Sequence, residues 1–238
     1  MASATVSLFS GLAVKDILEN SVLPAFRTEH GTEVAATYEP TKVLSGLIAD
    51  GARPDVMLGV GSALEQLADD GVLARDSLSP LVRSGIGVAV PPDADAPSIT
   101  TVDALIAAIR DARSVAYSRT GASGAHFAAL LERWGITDEV NTRATILDKG
   151  FTAEALLDGR ADLAVQQVIE LASVDGVQIV GPLPADAQHY VELWVGAGTG
   201  VGPAAKELLQ FLCSPTATDA YAAAGLEVTL PRTRTVMS

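Results

Sequence analysis

The chain has 238 residues, 48% of them hydrophobic and 19% charged, with a formal net charge of −13. That balance is the composition of a folded globule rather than a disordered chain, and its dispersed carboxylates argue against nucleic acid or an anionic membrane as partners. A single cysteine, Cys213, leaves no internal disulfide framework, and no apolar run reaches the length of a bilayer span.

Two strand-to-helix passages open the chain. An apolar stretch ends at Ser10-Gly11 and runs into helical periodicity over residues 14–26. A second, over residues 34–38, ends at Glu39-Pro40-Thr41 and runs into a helix over 43–50. A hydroxyl at the carboxyl end of a strand, beside the unpaired N–H groups of a helix start, is a seat for an anion. Ser10 and Thr41 are therefore read as two sides of one anion site, with capping of their own helices as the plainer alternative. Glu39 is either a solvated loop acid or a general base at the mouth of that site. Lys42, one residue into its helix, opposes the helix dipole, which points to a nearby anion or to simple solvation.

A strand over 55–58 and a helix over 63–70 complete the opening third. Gly59-Val60-Gly61 is a poor dinucleotide fingerprint, because position 64 is leucine. Residues 76–87 change character and lead into a strand over 86–90 that stops at Pro91-Pro92. Strands are expected over 114–118, 144–147, 163–165 and 177–180, and helices over 102–112, 125–134, 153–158 and 204–213. A further strand over 190–196 follows a Pro-rich loop. The strands near 86 and 190 read as two crossings between lobes, which puts residues 1–84 with 197–238 in one lobe and 85–196 in the other. The alternation of strands and helices predicts an α/β fold, each lobe a mostly parallel sheet flanked by helices.

The order strand, Ser10-Gly11-Leu12, helix, then strand, Thr41, helix, then Gly51-Ala-Arg-Pro-Asp55-Val-Met-Leu resembles the molybdate-binding type II periplasmic solute-binding proteins. Ala68-Asp-Asp-Gly-Val-Leu, the strand from Gly85 to Val90, Leu157-Asp-Gly-Arg-Ala-Asp162 and Phe211-Leu-Cys-Ser-Pro continue the likeness over nearly the whole chain. It implies two α/β lobes joined by two hinge crossings, with an oxyanion held between them by hydroxyls and helix-start N–H groups. Ser10 and Thr41 match the two hydroxyl positions. Residues 117–124 would form the third ligand-side segment, with Arg119, Thr120, Ser123 and Gly124 facing the anion. Gln166 and Gln167 stand where molybdate binders place a tyrosine. The branch of this superfamily that includes aconitate isomerase is similar in general plan, which implies that the scaffold can host proton transfer.

Arg119 is a fork suited to a carboxylate, or else an ordinary surface partner for an acid. His126, at the start of the helix over 125–134, would donate to the ligand or shuttle a proton, or lie beside the site. Tyr190 would line the cleft near the hinge or pack in the core. With Glu39 between Ser10 and Thr41, and glutamines in place of tyrosine, the reading favours an organic di- or tricarboxylate over molybdate. Two functions fit. One is capture of the anion by closure of the lobes, as in a transport receptor or sensor. The other is a cofactor-independent isomerase, with Glu39 or His126 moving a proton next to a carboxylate. No zinc-like His/Cys cluster and no phosphate loop is present in the sequence, so no metal or cofactor is expected. No basic segment followed by an apolar stretch opens the chain, so it reads as cytoplasmic, or as the mature end of an exported protein partnered by an ABC-type permease.

Overall fold

The computed structural model describes residues 5–230. Its strands are β1 (Thr5–Ser10), β2 (Glu33–Tyr38), β3 (Val56–Val60), β4 (Ser79–Val90), β5 (Val115–Ser118), β6 (Thr145–Leu147), β7 (Leu163–Gln167), β8 (Gln178–Pro182), β9 (Tyr190–Ala197) and β10 (Glu227–Val228). They run in the order β2-β1-β3-β9-β4-β7-β5-β6, with β8 and β10 also on β4. β4 is the shared strand. Its first part, Ser79 to Gly85, pairs with β9, and its second part, Ile86 to Ala89, pairs with β7. Each side of β4 carries a parallel trio, β2-β1-β3 on one and β6-β5-β7 on the other. The result is the two-lobed binding-protein fold, an α/β architecture with helices flanking both halves.

In both trios the earliest strand lies in the middle, so each half has a point where the strand order reverses. Ligands in open α/β sheets bind at such points, beyond the carboxyl ends of the strands. The register aligns those ends: Ser10 stands opposite both Tyr38 and Leu58, and Ser118 opposite Leu147. The same device anchors the amino ends in both halves. Asp55 Oδ2 accepts from Ser7 N–H (2.8 Å) and Ser7 Oγ (2.7 Å), and Asp162 accepts from Arg113 and Ser114 N–H (2.9 and 2.8 Å).

β9 lies in the first half, hydrogen-bonded between β3 and β4. Its alternation explains this, because Val191, Leu193 and Val195 all enter the same core as Leu8, Val14, Phe26 and Leu208. The second core gathers Ile86, Val88, Leu105, Phe127 and Leu131. β4 starts at Ser79, earlier than the apolar run over 86–90, and accommodates Pro80 where the pairing with β9 shifts register.

The first helical segment is longer than its periodicity predicts. It begins as a 3-10 turn at Leu12–Val14, passes through Lys15–Ile17 and a π turn at Leu18–Val22, and ends as an α-helix at Leu23–His30. Pro24 supplies the reason for the wide turn: a proline within a helix lacks the N–H and crowds the preceding carbonyls, and a π turn relieves both.

Candidate functional site

The carboxyl ends of the two parallel trios face each other across a cleft. From the first half it is lined by Gly11, Leu12, Ala13, Pro40, Thr41 and Val60, with Val191 and Leu193 of β9. The second half contributes Ser118, Gly121, Ala122, Gly150, Gln166, Gln167 and Glu170.

Helix starts meet here from both sides. The helices Thr41–Ala49, Gly61–Asp69 and Ala122–Arg133 begin after Pro40, Val60 and Gly121, all in extended backbone, and none has a side-chain cap. The 3-10 turn after Gly11 is likewise uncapped. First-turn N–H groups have no partner inside their own helix, so each uncapped start offers donors and positive potential to an anion.

The hydroxyls hold these starts in place. Thr41 Oγ1 accepts from Val60 N–H at 3.1 Å, fixing the end of β3 beside the start of the Thr41–Ala49 helix. Ser10 is fully buried, and its Oγ donates to Gly11 O at 3.1 Å. Glu39 N–H reaches Ser10 O at 3.2 Å and Gly11 N–H reaches Leu58 O at 3.0 Å, so the three strand ends are tied together. On the other side Ser118 Oγ accepts from Gly121 N–H (3.0 Å) and Thr120 N–H (3.3 Å), shaping the turn into the Ala122–Arg133 helix. Gly124 lets that helix approach: a Cβ there would stand 1.8 Å from Ser118 O.

Of the residues singled out from sequence, Gly11, Thr41, Gln166 and Gln167 line the cleft, with Ser10 directly behind Gly11. Gln166 is occupied with its own loop: its Oε1 accepts from Thr152 N–H (2.7 Å) and Oγ1 (3.0 Å), and its Nε2 donates to Gly150 O (3.3 Å). Ser123 and Gly124 are buried in the helix start behind the lining. Glu39 precedes the lining residue Pro40 and lies 3.8 Å from Lys149 Nζ.

Arg119, Thr120, His126 and Tyr190 do not line this cleft. The Arg119 side chain is 66% exposed and donates to Asp148 Oδ1 at 3.1 Å, while Thr120 Oγ1 donates to Asp148 O. His126 Nε2 contacts Ala187 O at 2.9 Å, and its ring stacks on His189 with centroids 4.9 Å apart. Burial, with the neighbouring His126, holds His189 below the ordinary histidine range. Tyr190 is exposed and lies under the Arg83 guanidinium at 4.6 Å.

Ser118 lines the cleft within the segment 117–124 expected on the ligand side, whereas sequence reading passed over Glu170. Glu170 sits in the helix Val168–Ala172, only 6% exposed, and its Oε2 accepts from Gln167 N–H at 3.3 Å. Burial pushes its carboxyl up to about 7, against the opposing pull of hydrogen bonds from Gln167 and Gln166. The spacing of Gln167 and Glu170, three apart at a strand end, is the available sequence signal, since it matches a capping box.

The architecture has known counterparts. A family model described as bacterial extracellular solute-binding protein matches residues 6–227. An aconitate isomerase from Pseudomonas sp is 33% identical over 215 residues, covering 87% of this chain and 81% of that protein. The periplasmic molybdate-binding protein of Azotobacter vinelandii superposes with a TM-score of 0.76 at 17% identity, over 95% of this chain and 100% of that one. The sulfate-binding protein SubI of Mycobacterium tuberculosis gives 0.72 at 18% identity, over 96% and 88%.

Proposed function

The chain belongs to the bacterial extracellular solute-binding protein family, and on that premise we propose that its cleft captures a small organic di- or tricarboxylate. The observation that carries this reading is the meeting of uncapped helix starts from both halves, after Gly11, Pro40, Val60 and Gly121, on one cleft. Neutral N–H donors and helix dipoles supply the attraction, each hydrogen bond to a charged group contributing about 1.5–3 kcal/mol. The choice of an organic acid over a tetrahedral oxyanion rests on the rest of the lining. Leu12, Ala13, Val60, Val191 and Leu193 present apolar surface that a carbon skeleton covers and molybdate would leave bare.

Capture would work by closure of two lobes, residues 5–84 with 190–230 against 85–189, hinged at β4 and at the link before β9. Acting outside the cytoplasm, such a receptor would deliver its anion to an ABC-type permease. One observation favours a second reading, isomerisation of an unsaturated carboxylate: the aconitate isomerase from Pseudomonas sp to which this chain is similar over most of its length.

Melting with and without trans-aconitate, followed by proton NMR of the acid after incubation, separates the readings. A raised melting temperature with the acid unchanged supports capture. Conversion to another isomer supports the enzyme. Neither a shift nor conversion, across trans-aconitate, fumarate and citrate, overturns the carboxylate reading.

A further inference from the structure

The cleft contains a carboxyl group as well as donors for an anion, and the two charges need reconciling. Glu170 is nearly enclosed, lines the cleft beside Gln166 and Gln167, and is held by the Gln167 N–H. The strands and helices packed most closely against its helix are β4, β7, β8 and the Leu12–Val14 turn. Between them these carry one ionisable side chain, Arg83 of β4. That guanidinium is turned away, donating to Glu227 at 2.8 Å and lying over Tyr190. No cation therefore faces the Glu170 carboxyl from these elements. A carboxylate ligand seated next to an ionised Glu170 would place two like charges in one confined space.

We propose that Glu170 meets the bound anion as a neutral carboxylic acid, donating its O–H to a ligand carboxylate, so that binding is linked to uptake of one proton. This rests on the carboxylate reading of the cleft and adds the device that selects for it. The proton stays in an O–H···O hydrogen bond between the two carboxyl groups, and no covalent bond is made or broken. Burial already holds the side chain close to neutral protonation in the free protein, and an adjacent anion pushes it further the same way. The Gln167 N–H orients the acid, while the Gln166 side chain is held by Thr152 and Gly150 of its own loop.

Calorimetric titration with trans-aconitate, and with fumarate as a second fully ionised probe, tests this from about pH 6 to 9. Two buffers of different ionisation heat report the protons exchanged. The expected result at about pH 8 is uptake of nearly one proton per ligand, with affinity falling about tenfold per pH unit at the alkaline end. Glu170→Gln keeps the shape and a permanent donor, so its affinity should be flat with pH and its proton uptake near zero. Binding of wild type with no proton exchange and no pH slope overturns the inference while leaving the carboxylate cleft standing. A slope that persists in Glu170→Gln also overturns it. Absence of binding to either acid at every pH overturns both this inference and the reading beneath it. The two-buffer measurement on wild type decides the matter even where the variant fails to fold.

Discussion

Lys149 Nζ lies 3.8 Å from Glu39 Oε1, and the two residues directly precede Gly150 and Pro40, which line the cleft from opposite halves. Glu39 follows β2 in the first half, and Lys149 follows β6 in the second. Exposed ion pairs of this kind contribute less than about 1 kcal/mol to stability. Lys149→Ala should therefore leave the melting temperature within about 2 °C of wild type, while removing this link between the two halves. Small-angle scattering of the unliganded variant should give a larger radius of gyration than wild type, and added salt should reduce the difference. An unchanged radius at low salt would show that this ion pair does not hold the two halves together.

Thr41 ties two strand ends together through Val60 N–H. Thr41→Val keeps the shape but leaves that amide without its acceptor, at a cost of about 1–3 kcal/mol. Thr41→Ser restores the acceptor. Urea denaturation should rank wild type and Thr41→Ser together, with Thr41→Val clearly lower, and ligand affinity should follow the same order.

Gly124 and Gly46 both lie in helices, yet they should answer alanine in opposite ways. A Cβ on Gly124 would stand 1.8 Å from Ser118 O, whereas one on Gly46 meets nothing within 4 Å. Gly124→Ala must push the Ala122–Arg133 helix off β5, destabilising the fold by about 3 kcal/mol and displacing the cleft donors. Gly46→Ala should stabilise by about 0.5–1 kcal/mol through helix propensity alone. Paired denaturation curves give both values.

Glu170 makes a prediction about stability as well as binding. Its carboxyl is raised from the ordinary 4.5 to about 7 in the folded chain. Between those values the folded state holds a proton that the unfolded state has released. Its contribution is therefore fully present below about pH 4.5 and is lost as pH rises through about 7. A shift of that size corresponds to about 3 kcal/mol. Glu170→Gln lacks this dependence, so the stability of wild type relative to the variant should fall by about that amount from pH 4.5 to 8. A constant difference over that range would show that the side chain titrates normally.

Much of this was legible in the chain. Apolar runs and punctuation located most strands and helices, because β3, β5 and β7 are short runs dominated by buried residues, and the helices after β1, β3 and β5 follow at serine or glycine turns. The order of phrases from Ser10 to Pro215 carried the two-lobed fold. What could not be read was which side chains share a space. Arg119 lies one residue beyond the buried end of β5, close enough in sequence to suggest a clamp, but Asp148 on the neighbouring loop draws it outward. His126 is four residues into its helix, a full turn past the donors, and meets the link before β9. Glu170 was hidden for the converse reason: five residues, Val168–Ala172, show too little periodicity to mark a helix, and only the fold brings them under the cleft. The place of β9 depended on which core its alternating face joins, a question that pairing answers and pattern alone does not.

In the proposed function the cleft captures a small organic carboxylate by neutral donors from both halves. Parallel calorimetric titrations of one preparation with trans-aconitate, molybdate and sulfate near pH 6 test it most directly. The account predicts saturable binding of trans-aconitate at one site per chain, at least tenfold tighter than either inorganic anion and weakened in Thr41→Val. Tighter binding of molybdate or sulfate, or no heat from the acid under any condition, would contradict it.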